Sequence, residues 1–180
     1  PVLLDTFLQQ RYRHLPDKPE LRDILRQRLL RVEPNDEEEL LSVLRLFKKN
    51  QVLAVAASDV LAERPIMKVS DSLTYIAAVV LEAALERAFA ELVKRYGYPI
   101  GKDGDPVTEA DCGFAIIGYG KLGGLELSYS SDLDLVFLHQ IKEQGMTTGD
   151  KSVSGMKFAA RIAQKLMTYL NTQTRDGRAY

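Results

Sequence analysis

Apolar residues recur at helical spacing along the first hundred positions of the chain. Asp17 lies three residues before Glu20, with Pro19 in the first turn, and this capping-box spacing predicts the start of a helix. A second predicted helix begins after Asn35 or Asp36, either of which can act as its N-cap. The apolar stripes of the two helices are Leu21, Ile24, Leu25, Leu29 and Val32, and then Leu40, Leu44, Phe47, Val52, Val55 and Leu61.

A third and longer predicted helix follows the break at Arg64 and Pro65. Ser70 is its predicted N-cap, and Gly97 suits the left-handed residue that commonly ends a helix. The apolar stripe of this helix is Leu73, Ile76, Ala77, Val80, Ala84, Phe89 and Leu92. The first part of the chain is therefore predicted to be entirely helical.

The pattern changes after residue 100. Residues 101–112 are mostly polar and rich in turn formers, and we interpret them as a linker loop. Two short apolar runs follow at residues 114–117 and 132–138, and each is suited to a buried strand. The last predicted element is a helix over residues 153–170, with apolar positions at Met156, Phe158, Ala159, Ile162, Ala163, Leu166, Met167 and Leu170.

Composition narrows the function without identifying it. The 180 residues include 24 basic and 25 acidic ones, and this balance argues against a surface built to coat nucleic acid. Cys112 is the only cysteine, so neither an internal disulfide nor a cysteine-based metal cluster is available. His14 and His139 lie too far apart in sequence to form a ligand spacing. Neither a signal-peptide pattern nor a membrane-spanning apolar run is present, so a cytoplasmic protein without membrane contact is expected.

A glycine-rich string at residues 118–123, GYGKLG, matches the dinucleotide-binding fingerprint. That fold needs a parallel crossover of about a dozen residues or more. Only seven residues separate Gly124 from Asp132, so a dinucleotide fold is disfavoured. Two interpretations remain: a tight turn without a ligand, or a turn whose glycines permit positive φ and close approach of phosphate. Further donors in the second interpretation are Lys121, Ser130 and Ser131.

Two aspartates stand at the start of the second apolar run. Because successive side chains of a strand point to opposite faces, Asp132 and Asp134 are predicted to share a face, roughly 6–7 Å apart. At that distance they repel by about 2–3 kcal/mol at an effective dielectric constant near 20. A divalent cation offsets this repulsion, and Mg²⁺ takes oxygen ligands while keeping substrate phosphates in its shell. The alternative is a solvated pair that caps nearby amides, but the glycine turn and the serines favour a metal site.

The stretch GYGKLGGLELSYSSDLDLVFLH, at residues 118–139, resembles the core of the DNA polymerase β-type nucleotidyltransferases, in which a glycine turn precedes Asp-x-Asp on a strand. It is closer still to the signature of the glutamine synthetase adenylyltransferase family. Residues 29–60 and 66–77 also resemble that family, and specifically its C-terminal half. In this family one half transfers AMP from ATP to a tyrosine of glutamine synthetase, and the other half removes it by phosphorolysis.

The resemblance implies an α+β fold with a helical lead-in at residues 1–100, a linker at 101–112 and a truncated polymerase β-type palm at 113–180, whose mixed sheet is flanked by helices. Asp132 and Asp134 are implied to be catalytic and to hold Mg²⁺. The residues implied to bind the triphosphate of ATP are Gly120, Lys121, Gly123, Gly124, Ser130 and Ser131. Either Gly120-Lys121 or Gly123-Gly124 can be the turn that binds the phosphates. The implied partners are glutamine synthetase and a PII-type signal protein.

The resemblance also implies a third carboxylate, on a strand that follows the last helix. The sequence stops at Tyr180, so we expect this acid to lie beyond it and the isolated chain to be inactive. Two other interpretations stay open. The chain could belong to the adenylyl-removing half, with phosphate as nucleophile, or it could be a non-catalytic helical module that docks a protein.

Overall fold

The computed structural model describes residues 14–33, 35–62, 64–172 and 179–180. Within them the chain forms five helices and two strands: α1 (Lys18–Leu29), α2 (Glu37–Ala62), α3 (Ile66–Tyr96), β1 (Ala115–Tyr119), α4 (Gly120–Gly123), β2 (Asp134–Leu138) and α5 (Gly155–Asn171). The fold is therefore α+β, as predicted. None of these helices combines the length and the apolarity that a bilayer crossing requires.

The two strands pair in a two-stranded antiparallel sheet. A mixed sheet was expected, and within the described residues this expectation is wrong. One helical turn and a loop, residues 120–133, return the chain directly beside β1, and so short a connection gives antiparallel pairing. The polymerase β-type palm itself stays a prediction.

Helix α1 begins at the predicted capping box. The Glu20 amide donates to Asp17 Oδ1, and the Asp17 amide donates to Glu20 Oε2, each at 2.9 Å. The reciprocal bonds satisfy two amides that a helix start would otherwise leave unpaired. Leu21 and Leu25 of the predicted stripe are 2% and 1% exposed, so they anchor this helix in the core.

Asp36, rather than Asn35, caps α2, because its Oδ1 accepts a hydrogen bond from the Glu39 amide at 2.8 Å. The predicted stripe of α2 is confirmed over its first half by Leu40, Leu44 and Phe47, which are 2%, 1% and 0% exposed. Leu61, in its last turn, is 52% exposed, so the stripe stops being buried before the helix ends.

Helix α3 begins at Ile66, directly after Pro65, so the prediction that Ser70 is its N-cap is wrong. The fixed φ of proline suits the start of a helix, and the Lys68 amide already donates to the Pro65 carbonyl at 2.9 Å. At the other end Gly97 has φ +76° and its amide donates to the Val93 carbonyl at 2.8 Å. The predicted helix terminator is thereby confirmed.

Helix α5 confirms most of the predicted last stripe. Phe158, Ile162 and Leu166 are all 0% exposed and lie one helical turn apart. Met156 and Met167 are 57% and 45% exposed, so their prediction as core residues is wrong. Each residue advances the helix by about 100°, which puts Met156 about 200° from Phe158 and Met167 about 100° from Leu166, away from the buried side.

The described residues group into two compact units. Unit one takes them from Pro1–Ala83, Gly120–Asp134 and Asn171–Tyr180, and its core includes Leu21 and Phe47. Unit two takes them from Ala84–Tyr119 and Leu135–Leu170, and in it the rings of Phe89 and Phe158 meet edge to face, with their centroids 5.7 Å apart.

The division predicted from composition, with its linker at residues 101–112, stays a prediction. Parts of the predicted segments lie outside the described residues, namely residues 1–13, 34, 63 and 173–178.

Replacing Asp17 with alanine should lower the free energy of unfolding by about 1 kcal/mol, because the Glu20 amide loses its acceptor. Urea denaturation followed by circular dichroism measures this loss. Asp23→Ala is the matched control: Asp23 is exposed on the same helix, and within the described residues its carboxylate makes no hydrogen bond or ion pair. The control should stay within about 0.5 kcal/mol of the parent chain, and equal losses would contradict the capping role.

Candidate functional site

The candidate site is built on the turn that follows β1. Gly120 opens the short helix α4 with φ +54°, a conformation that residues with a Cβ rarely adopt. A Cβ placed on Gly120 would lie 2.5 Å from Asp134 Oδ2. The Asp134 carboxylate therefore packs directly against the Gly120 backbone, and any side chain at position 120 would displace it.

Three backbone hydrogen bonds close the rest of this turn, one of them from the Leu125 amide to the Leu122 carbonyl at 3.3 Å. The Gly124 amide donates to the Gly120 carbonyl at 3.0 Å, and the Glu126 amide donates to the Lys121 carbonyl at 2.8 Å. The left-handed residue after α4 is Leu125, with φ +57°, and neither Gly123 nor Gly124 has a positive φ. The expectation of a positive φ is thus met at Gly120 and is wrong for the second glycine pair. Leucine carries no sequence signal for this conformation, which explains why the pattern missed it.

Gly124, unlike Gly120, has space for a Cβ. A Cβ on Gly124 would meet the Gly120 carbonyl oxygen at 3.5 Å and the Glu126 side chain at 3.7 Å, which are ordinary van der Waals contacts. Within the described residues, the packing does not require a glycine at position 124. Gly123 and Gly124 are both exposed, so their backbone can be reached from solvent.

A second turn, formed by residues 128–131, leads into the aspartates. The Ser131 amide donates to the Ser128 carbonyl at 3.2 Å, the Ser128 amide donates to Ser131 Oγ at 2.9 Å, and the two hydroxyl oxygens lie 2.7 Å apart. The hydroxyl of Ser131 is thus engaged in holding the turn. Ser130 is exposed, and within the described residues its hydroxyl makes no such bond.

Asp134 is the first residue of β2, whereas Asp132 lies in the loop before the strand. The prediction that both stand on the strand is therefore wrong for Asp132. Exposure still alternates along the chain, because Asp132 and Asp134 are exposed while Leu133 and Leu135 are half-buried. The predicted alternation thus extends into the loop, and both carboxylates lie on the exposed side.

Within the described residues, neither Asp132 nor Asp134 accepts a hydrogen bond or forms an ion pair. The same residues contain no group of three His, Cys, Asp or Glu side chains suited to hold a metal ion. Lys121, the basic residue of the glycine string, is exposed. This part of the chain therefore offers two carboxylates on one side, and no protein cation offsets their charge.

All eight residues proposed from the sequence lie in the segment Gly120–Asp134, which belongs as a whole to unit one. One contact of this segment was not predicted from the sequence. The Tyr129 hydroxyl donates to Asp59 Oδ2 on α2 at 2.9 Å, across 70 positions of sequence. Partial burial, and then the adjoining Asp59 carboxylate, raises the pKa of Tyr129 to about 12.

A helical lead-in, a glycine turn and paired aspartates are the features on which the resemblance to the adenylyltransferases rests. The family profile described as glutamate-ammonia ligase adenylyltransferase matches residues 1–180, so the chain belongs to that family. A bifunctional glutamine synthetase adenylyltransferase/adenylyl-removing enzyme of Acinetobacter baylyi is 55% identical over 180 residues, which make up 100% of this chain and 19% of that protein. The chain thus spans about a fifth of the relative's length, and the resemblance seen in the sequence is confirmed.

Replacing Gly120 with alanine should destabilise unit one by about 1 kcal/mol or more, because the residue has a positive φ and its Cβ would collide with Asp134. Gly124→Ala is the matched control, since its Cβ would meet only ordinary contacts. Urea denaturation compares the two variants. Equal stability of Gly120→Ala and Gly124→Ala would show that the carboxylate does not pack against the turn as described.

Proposed function

We propose that the segment Gly120–Asp134 binds Mg-ATP for transfer of AMP to a tyrosine of glutamine synthetase, as part of an adenylyltransferase. Membership of the family supports the enzyme class and ATP as its substrate. The observation that carries the proposal is the pair Asp132 and Asp134, exposed on one side behind the glycine turn and unpaired within the described residues. The transferring half is favoured over the removing half by the sequence resemblance alone.

The donor chemistry of this pair fits Mg²⁺. Carboxylate oxygens are hard ligands, and Mg²⁺ is usually bound in proteins through one or two carboxylates plus substrate phosphates. Asp132 and Asp134 would hold the ion, and the ion would neutralise charge on the phosphate oxygens. Oδ2 of Asp134 lies 2.5 Å from where a Cβ at position 120 would be, so this carboxylate stands directly beside the glycine turn. The third carboxylate that the family resemblance implies stays a prediction.

The other proposed residues surround the place where the triphosphate would lie. Gly123 and Gly124 leave the turn open, so phosphate oxygens can approach the backbone closely. Lys121 is exposed and can direct its ammonium group to the outer phosphates. Ser130 can donate its hydroxyl to a phosphate oxygen, whereas Ser131 orders the turn from which it does so.

In the proposed reaction the tyrosine oxygen of glutamine synthetase forms a bond to the α-phosphorus of ATP. The bond from that phosphorus to the bridging oxygen breaks, pyrophosphate leaves, and the phenolic proton passes to a general base. The chain's own part is to orient the triphosphate and to place charge beside it, which is how phosphoryl-transfer sites lower the barrier.

The adenylyl-removing reaction is a second candidate, because the Acinetobacter baylyi relative carries both activities in its name. The same residues would then hold phosphate as the nucleophile. An enzyme that contains this chain is compared with its Asp132→Asn variant, and each is given either labelled ATP with glutamine synthetase or glutamine synthetase carrying labelled AMP with phosphate. Labelling that depends on this segment supports transfer, and phosphate-dependent release of labelled ADP supports removal, because the attacking phosphate becomes part of the product.

Glutamine synthetase is proposed as the protein substrate because the relative's name includes it. A PII-type signal protein as regulator, the cytoplasmic location and the lack of nucleic-acid or membrane partners stay predictions from the sequence.

Asp132→Asn and Asp134→Asn should each weaken Mn²⁺-ATP binding by the chain about tenfold or more, because a carboxylate ligand is lost. The free energy of unfolding should stay equal or rise, since repulsion between the two carboxylates is relieved. Calorimetric titration and urea denaturation measure the two effects.

Asp103→Asn is the control for these two variants. Asp103 is exposed in the linker loop, and its carboxylate has no hydrogen bond or ion pair within the described part of the chain. This variant should bind Mn²⁺-ATP like the parent chain. Full binding by both Asp132→Asn and Asp134→Asn would remove the metal assignment, and a parent chain without any binding would favour a protein-docking module instead.

Lys121→Ala should weaken ATP binding about three- to tenfold and leave AMP binding nearly unchanged, because the lysine is proposed to contact only the outer phosphates. Lys102→Ala is the matched control, since Lys102 is also an exposed lysine beside a glycine. Titration of each variant with both nucleotides in the presence of Mn²⁺ gives the comparison. Equal losses of ATP and AMP affinity would place Lys121 away from the outer phosphates.

A further inference from the structure

One hydrogen bond joins the long helix α2 to the loop that leads into the aspartates. The Tyr129 hydroxyl donates to Asp59 Oδ2 at 2.9 Å, and the two residues are 70 positions apart in sequence. Both residues belong to unit one, which also contains the whole segment Gly120–Asp134. A contact between residues so distant in sequence constrains the loop more than any bond between its own neighbours can.

On the loop side, Tyr129 lies inside a turn that is ordered from within. Three contacts between Ser128 and Ser131 close the turn, so residues 128–131 form one hydrogen-bonded unit. Before the turn, Leu127 is 3% exposed and anchors the chain in the core. Only two residues separate Tyr129 from Asp132, and a displacement of the turn is therefore passed to the first aspartate.

On the helix side, Asp59 lies beside well-buried residues of α2. Its neighbour Ser58 is 0% exposed and accepts a hydrogen bond from Arg64 Nε at 2.6 Å. Val55 and Ala57 are 2% and 8% exposed, so this end of α2 is held by its own core contacts. Asp59 itself is half-buried, which holds its carboxylate oxygen in one place as an acceptor.

The bond between Tyr129 and Asp59 has a defined donor and a defined acceptor. The phenol donates to a carboxylate oxygen at 2.9 Å, within the usual range of an O–H···O hydrogen bond. The raised pKa of Tyr129, about 12, keeps the phenol protonated and able to donate throughout the neutral pH range. Phenylalanine at this position would retain the ring and lose only the donor.

We propose that Asp59 and Tyr129 are positioning residues, which hold the turn 128–131 against α2 so that Asp132 and Asp134 stay aligned for the metal-nucleotide ligand. The alignment for a nucleotide rests on the proposed function, whereas the attachment of the turn to the helix does not. Neither residue contacts the ligand in this scheme. Their effect reaches the site through the two residues between Tyr129 and Asp132.

The first test measures the attachment without any ligand. In the turn the Ser128 and Ser131 amides are hydrogen-bonded, so their hydrogen exchange reports its opening. Exchange at both amides should be about three- to tenfold faster in Tyr129→Phe and in Asp59→Ala than in the parent chain. Asp59→Asn retains an acceptor oxygen and should restore most of the protection.

Tyr75→Phe is the matched control. Tyr75 lies on α3 and is 37% exposed, and no hydrogen bond to its hydroxyl is present within the described residues. This variant removes the same phenolic oxygen elsewhere in unit one, so exchange in the turn should not change. Thermal unfolding by circular dichroism verifies that every variant is folded at the temperature of measurement.

The second test measures Mn²⁺-ATP affinity with the same variants. Tyr129→Phe and Asp59→Ala should each weaken binding about three- to tenfold, and the double variant should be no weaker than either single one, because both remove the same bond. Asp59→Asn should bind nearly as well as the parent chain. A residue that contributed only to global stability would not produce this rescue at a temperature well below unfolding.

Unchanged exchange at Ser128 and Ser131 in Tyr129→Phe would overturn the inference. Faster exchange with unchanged Mn²⁺-ATP affinity, in a parent chain that binds, would also overturn it, because the turn would then not position the site. A parent chain that fails to bind Mn²⁺-ATP would instead contradict the proposed function. In that case the exchange rates alone decide whether Asp59 holds the turn.

Discussion

At Gly120 the chain has no Cβ, and the Asp134 carboxylate takes the space beside the backbone, 2.5 Å from where that atom would lie. This contact joins the turn after β1 to the first residue of β2, so the glycine string and the aspartates are parts of one local structure. Gly120 also has φ +54°, a conformation that only glycine adopts readily. Gly123 and Gly124 lie in the same turn, so the conformation of the turn determines how much of their backbone is exposed.

The charges of the site limit which ligand it can bind. Asp132 and Asp134 lie on the exposed side of an alternating run, and within the described residues no cation or donor from the protein compensates them. Such an arrangement is unfavourable unless solvent or a ligand supplies positive charge. The ligand proposed above, a divalent cation with its nucleotide, would supply this charge.

The helices of unit one provide the rigid part of this arrangement. Their cores are built from large buried side chains such as Leu44 and Phe47, and α2 carries Asp59 on a packed face next to Ser58. A loop that must hold charged ligands cannot bury much of itself, so it depends on a few anchors to better-packed elements. The bond from Tyr129 to Asp59 is such an anchor, and it links the helical lead-in with the aspartates.

The sequence by itself determined the features that depend on neighbours along the chain: the capping box at Asp17, the terminator at Gly97, the buried stripes and the alternation around Asp134. It also determined the family, because a long ordered motif is more specific than any single residue. Only the tertiary structure decided where the buried stripe of α2 stops, which leaves Leu61 52% exposed, and which side of α5 the core covers.

Two features of the site could not be predicted from the sequence pattern. The positive φ of Leu125 and the hydrogen bond from Tyr129 to Asp59 have no local signature in residue type or spacing. Periodicity and capping arise from interactions within a few residues, and the sequence therefore records them directly. Contacts across 70 positions depend on how whole elements pack, and that information exists only once the chain has folded.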